Sequence, residues 1–124
     1  MKKLKEDMNT SIIFITHDLA VVSDIADYVN VIYAGKVVER AKAEDIFKNP
    51  LHPYTRGLIK AIPTAHKKKD ELYTIKGSVP NPIDLPESCY FCDRCDEKMK
   101  ICQEKIPGEI DIDGHLVSCF LYRW

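Results

Sequence analysis

The chain has 124 residues, 45% of them hydrophobic and 30% charged, with a formal net charge of -1, a composition that suits one globular domain or one lobe of a larger one. Near-neutral charge gives no bulk reason to expect nucleic acid as a partner, and no apolar run approaches the ~20 residues of a membrane-spanning helix. The start, Met1-Lys2-Lys3-Leu4-Lys5-Glu6-Asp7, is basic but lacks the apolar stretch of a secretory signal, so the cell interior is the expected address and a membrane role must run through another protein.

Residues 1–9 read as the last turns of a helix. Ser11-Ile12-Ile13-Phe14-Ile15 is short, apolar and rich in β-branched residues, which predicts a strand buried on both faces, as in a parallel sheet. Thr16-His17-Asp18 follows, and then Leu19, Val22, Ile25 and Ala26 recur at helical spacing with Asp18 or Thr16 available as cap. That order places His17 at the carboxyl edge of a sheet, where ligands of open α/β sheets bind. Val29–Tyr33 and Lys36–Glu39 are strand candidates joined by Ala34-Gly35, a hairpin connection. Ala43–Phe47 predicts a short helix stopped by Asn49-Pro50. Pro53–Ile62 predicts another, with Pro53 at its first position, although Gly57 inside it costs about 1 kcal/mol relative to alanine.

The composition changes at Pro63. A charged connector, His66-Lys67-Lys68-Lys69-Asp70-Glu71, precedes the proline-rich Gly77–Pro86, which excludes a regular helix or central strand. The expected division is therefore 1–63 and 64–124, the second part being a small, loop-rich, cysteine-bearing appendage. Its last strand candidate is Leu116–Tyr122.

Two groups carry chemistry. An imidazole at the end of a buried strand can donate to a phosphate oxygen, so His17 is a candidate phosphate contact, although a histidine satisfied in a turn has the same signature. The second group is the thiols Cys89, Cys92, Cys95, Cys102 and Cys119, all in the last 36 residues. In a reducing compartment such clustering points to metal before disulfides. Cys89-x2-Cys92-x2-Cys95 has ferredoxin-like spacing and also supplies the Cys-x2-Cys half of a zinc site, with His115 as a possible nitrogen donor. Free buried thiols remain the alternative. None of the glycines at 35, 57, 77, 108 and 114 opens a G-x-x-x-x-G-K-[ST] phosphate loop, and there is no Leu-Ser-Gly-Gly-Gln signature and no apolar strand ending in Asp-Glu.

Ser11–Val22, Ile25–Val29 and Val31–Glu39 closely resemble, in order and spacing, the switch-histidine region of ABC ATPases. His52-Pro53-Tyr54-Thr55 resembles the segment that marks the C-terminal extension of the peptide-transporting members. Cys89, Phe91, Arg94, Cys95, Cys102 and Cys119, with Lys76–Pro80 and Pro82 before them, resemble that extension's cysteine motif; Cys92 departs from it. The chain thus resembles the C-terminal end of the ATP-binding subunit of an oligopeptide or dipeptide importer. The implied fold is α/β, a partial ABC-ATPase core followed by the cysteine appendage. The resemblance implies that His17 contacts the γ-phosphate of ATP, in a reaction governed by positioning and charge stabilisation. It implies ATP and Mg2+ for the complete subunit only, and a chain inactive alone. It implies a [4Fe-4S] cluster on Cys89, Cys95, Cys102 and Cys119, with zinc as the alternative. Implied partners are a second ABC ATPase subunit, membrane permease subunits and, indirectly, an extracellular peptide-binding protein, with the chain peripheral on the cytoplasmic face of the membrane. A stand-alone iron–sulfur or zinc module without enzymatic activity is the competing reading.

Overall fold

The computed structural model describes Lys3, Asp7, residues 10–62 and residues 73–122. Lys3 and Asp7 are helical; the remainder of the predicted N-terminal helix, the boundary near residue 64 and the charged connector lie outside the described residues. The first regular element thereafter is helix α1 (Leu19–Ile25), whose N-cap is Asp18: its carboxylate accepts from the backbone N–H of Ala20 and Val21 at 2.9 and 3.3 Å. Thr16 Oγ1 in turn accepts from the Asp18 N–H at 3.0 Å, so both polar neighbours of His17 serve the helix start.

Strands β1 (Tyr28–Tyr33) and β2 (Lys36–Lys42) form the predicted antiparallel hairpin. Its turn residues Ala34 and Gly35 both have positive φ, at 46° and 77°, as a two-residue turn matching strand twist requires. Helix α2 (Ala43–Lys48) follows, and then α3 (Pro53–Lys60) with proline in its first turn. Far along the chain, β3 (Ile110–Ile112) and β4 (His115–Val117) pair antiparallel and join β2, giving the order β1-β2-β4-β3. The β3–β4 turn is Asp113-Gly114, again with φ positive at both residues, at 54° and 85°. Asp-Gly between apolar residues is a strong hairpin signal that the reading of this segment as one strand over Leu116–Tyr122 passed over. The strand instead stops at Val117, and Phe120–Tyr122 is a 3-10 turn.

The architecture is α/β, and its core gathers where the first hairpin, α2 and the cysteine loop meet: Val31, Tyr33, Val38, Ala41, Ile46 and Phe91 are buried together, with Tyr54 and Leu58 of α3 packed against them. A second expectation fails. Ser11–Ile15 is not a strand, and Ile13 and Ile15 are 92% and 93% exposed. A strand exists only through its ladder partners, and among the described residues every strand of the sheet pairs elsewhere. His17 therefore follows an exposed, unpaired segment rather than a sheet edge. Among the described residues no helix is long and apolar enough to cross a membrane.

Candidate functional site

The His-Pro-Tyr-Thr segment is built as a lock. His52 is the N-cap of α3, its Nδ1 accepting from the Tyr54 N–H at 3.0 Å, and Pro53 occupies the first turn, where its missing N–H is no loss. Because His52 is buried, desolvation holds its imidazole down to about 4, and the nearby Arg56 cation pushes the same way; the ring is neutral, as its accepting Nδ1 requires. Tyr54 projects into a cluster of rings. Its centroid lies 4.7 Å from Tyr33 and 5.5 Å from Phe91, while Tyr33 and Phe91 meet edge to face at 5.2 Å. Thr55 is fully buried. One turn further on, Arg56 forms an ion pair with Glu97 at 2.9 Å, linking α3 to the cysteine loop. Gly57 is buried under Ile75, whose side-chain carbons lie only 2.9 Å from where a Cβ would stand. The glycine that weakens the helix locally is what lets residues 73–77 pass over it.

Phe91 and Arg94 carry the cysteine loop onto this frame. Phe91 is 4% exposed and shares the core with Tyr33. Arg94 donates to the carbonyls of Lys76 and Ile75 at 2.9 and 3.1 Å, and its guanidinium lies 5.9 Å from the centre of the Tyr33 ring. Two turns between them, the 3-10 turns Cys92–Arg94 and Lys100–Gln103, bend the loop back on itself. The N–H of Cys92 donates to the Cys89 carbonyl and that of Cys89 to the Cys102 carbonyl, both at 3.0 Å. Cys119 arrives from the other side, held by the Ser118 N–H donating to the Val38 carbonyl of β2 at 2.9 Å.

All five thiols are free. Burial pushes Cys95 and Cys119 up to about 11, and raises Cys89 and Cys92 as well. Secondary causes of these shifts map the neighbours. Cys119 feels Cys89, Cys95 and Cys102; Cys95 feels Cys89 and Cys102; Cys89 feels Cys102. Every pair among Cys89, Cys95, Cys102 and Cys119 is thus within electrostatic reach. Cys92 packs on Cys102 and Cys89 but stands outside that mutual set. Cys89 and Cys92 also border a cavity of about 260 Å³. Among the described residues no group of three or more His, Cys, Asp or Glu is arranged to hold a metal ion. Four thiols are a donor set known for both a [4Fe-4S] cluster and a zinc ion.

His17 is exposed. His115, considered as a nitrogen donor to metal, is engaged elsewhere: its Nε2 lies 2.6 Å from Glu39 Oε1. Glu39 itself was read only as a strand residue. Its carboxylate is wholly buried and also accepts from the N–H groups of Leu51 and His52 at 2.7 and 2.9 Å. Glu39 shares its face of β2 with the buried Ala41, and at a bulge Val31 faces Glu39 while Ile32 faces Val37, leaving Val38 extra and turned inward beside it. Nothing in the local sequence marks its distant partners.

Residues 38–102 match the family described as oligopeptide/dipeptide transporter, C-terminal region. The chain is 50% identical over 124 residues to the oligopeptide transport ATP-binding protein AppD of Bacillus subtilis, an alignment covering 99% of this chain and 38% of that protein. It is 45% identical to the oligopeptide transport ATP-binding protein OppD of Salmonella typhimurium, over 97% of this chain and 36% of that protein. It is 43% identical to the dipeptide transport ATP-binding protein DppD of Caldanaerobacter subterraneus, over 99% and 38% respectively. The chain therefore spans little more than a third of the length of these relatives. The match takes in β2, the His-Pro-Tyr-Thr lock and the cysteine loop as far as Cys102, and on that ground the chain belongs to the oligopeptide/dipeptide transporter C-terminal region family.

Proposed function

We propose that this chain is the C-terminal portion, residues 1–63 ending the nucleotide-binding domain and 64–124 forming its extension, of a subunit that couples ATP hydrolysis to import of oligopeptides or dipeptides. The carrying observation is 50% identity across 99% of the chain to an oligopeptide transport ATP-binding protein. ATP and Mg2+ belong to the complete subunit. Its partners are a second ATPase subunit and membrane permeases, with an extracellular peptide-binding protein acting at a distance, and its place is the cytoplasmic face of the membrane. His17 contributes a donor to the γ-phosphate region, held at the junction where Thr16 and Asp18 cap α1. The test is ATP turnover by a transporter whose ATP-binding subunit ends in this chain. His17→Ala is expected to lower turnover by about 10²–10³-fold while ATP binding persists; unchanged turnover rejects the assignment. The 124-residue chain alone is expected to be inactive, and a rate in it that His17→Ala removes would overturn that expectation.

Within the extension, Cys89, Cys95, Cys102 and Cys119 are assigned to a [4Fe-4S] cluster. The support is their mutual electrostatic proximity and a donor set of four thiols. A bound cluster would cross-link a segment that has little core of its own. Because burial holds the Cys89, Cys95 and Cys119 thiols protonated, loading must release protons and strengthens as pH rises. Anaerobic reconstitution with iron and sulfide should colour the wild-type chain brown, and Cys102→Ser should abolish the colour and loosen residues 77–124. Persistent colour in that variant would refute the ligand set. The competing reading, a stand-alone metal module, is disfavoured because Phe91 of the cysteine loop packs into the core formed by β1 and α3.

A further inference from the structure

Glu39 joins three segments that are distant in sequence. Its Oε1 receives the Leu51 N–H at 2.7 Å and faces His115 Nε2 at 2.6 Å, and its Oε2 receives the His52 N–H at 2.9 Å. Both oxygens of Glu39 already accept from backbone N–H groups, so an N–H at His115 Nε2 makes all three partners donors. The same contacts fix the Leu51 peptide from both sides, since Tyr122 Oη donates to the Leu51 carbonyl at 2.8 Å. By contrast, the backbone holds this stretch to β2 over only two registered pairs, Glu39 with Val117 and Arg40 with Leu116, and the one bond from the Ser118 N–H to the Val38 carbonyl. So short a ladder is a weak attachment by itself. Cys119 lies two residues beyond it and is buried.

We propose that Glu39 is a positioning residue: through His115 it clamps β4 onto β2 and so holds the Cys119 thiol in place beside Cys89, Cys95 and Cys102. The clamp needs a carboxylate, because shape alone does not satisfy it. A glutamine at position 39 has one accepting oxygen, so its NH2 group must face at least one of three donors, and a buried donor is then left without an acceptor. At position 115 the requirement is only for a donor of similar reach, which a glutamine supplies and a leucine does not.

The experiment is alkylation of the metal-free full-length chain with N-ethylmaleimide, followed by mass spectrometry at each of the five cysteines. It reports local opening and is separate from whether the thiols hold a cluster. Glu39→Gln and His115→Leu are expected to speed labelling of Cys119 about tenfold or more relative to Cys92 and Cys102. His115→Gln is expected to stay within about twofold of wild type. An unchanged Cys119 rate in Glu39→Gln overturns the proposal. If that variant unfolds throughout, so that all five thiols accelerate together, the His115 pair decides. Selective acceleration in His115→Leu that His115→Gln rescues sustains the clamp, and equal behaviour of the two overturns it.

Discussion

Phe91→Ala is expected to lower the stability of the chain by about 3–5 kcal/mol. Phe91 is the point at which the cysteine loop enters the core, touching Tyr33 at 5.2 Å, Tyr54 at 5.5 Å and His52 at 5.7 Å between ring centres. Each of those rings comes from a different part of the frame, β1, the first turn of α3 and its cap, so the cavity left behind cannot close by moving one element. Aromatic pairing adds about 0.5–1.5 kcal/mol to the area term. A domain of this size has roughly 5–15 kcal/mol to lose, so the variant should sit near the edge of folding. Urea unfolding followed by tyrosine fluorescence measures it. Ile83, 85% exposed, is the control: its alanine variant should change stability by less than about 0.5 kcal/mol. Equal effects at the two positions would mean that the cysteine loop does not share the core.

Acid should unlock α3 before it unfolds exposed regions. His52 is held neutral to about 4 by burial and by Arg56, whereas in the unfolded chain it titrates near 6.5. Between those values the unfolded state binds the extra proton, so stability rises with pH there. The contribution is complete above about 6.5 and is lost as pH falls toward 4, amounting to on the order of 3 kcal/mol. Protonation also removes the acceptor that Nδ1 offers the Tyr54 N–H. His52→Asn keeps a good N-cap oxygen but has nothing to titrate. Its stability at neutral pH should be lower, for want of the ring against Phe91, and its decline from pH 6.5 to 4 should be shallower by that same amount. Parallel pH profiles for variant and wild type would contradict the burial argument.

Local signals in this chain were read correctly where the physics is local. Asp18 caps α1, Ala34-Gly35 turns the first hairpin and Pro53 opens α3 because each outcome depends on atoms within a few residues. Asp113-Gly114 belongs to the same class, and its hairpin was legible had the turn been weighed above the apolar run that follows. The run Ser11–Ile15 shows the limit. Its β-branched residues do favour extended backbone, but a strand needs a neighbour, and no local pattern supplies one. In the candidate site, spacing singles out Cys89, Cys92 and Cys95, and the set at 89, 95, 102 and 119 is what the family resemblance implies. What remained hidden was the apparatus that gathers them: Phe91 in the core, Arg94 clasping residues 75–76, and the Arg56–Glu97 pair.

The sequence by itself therefore determined the helix starts, the first hairpin and the family, since these follow from short-range geometry and from motifs. Tertiary structure alone decided what meets Glu39. Alternation along β2 puts its carboxylate on the same face as the buried Ala41, but no local pattern supplies the groups that cover it. There, backbone N–H groups 12 and 13 residues away and a histidine 76 residues away meet it. A buried charge is tolerable only when such donors converge on it, and that convergence is a property of the folded chain.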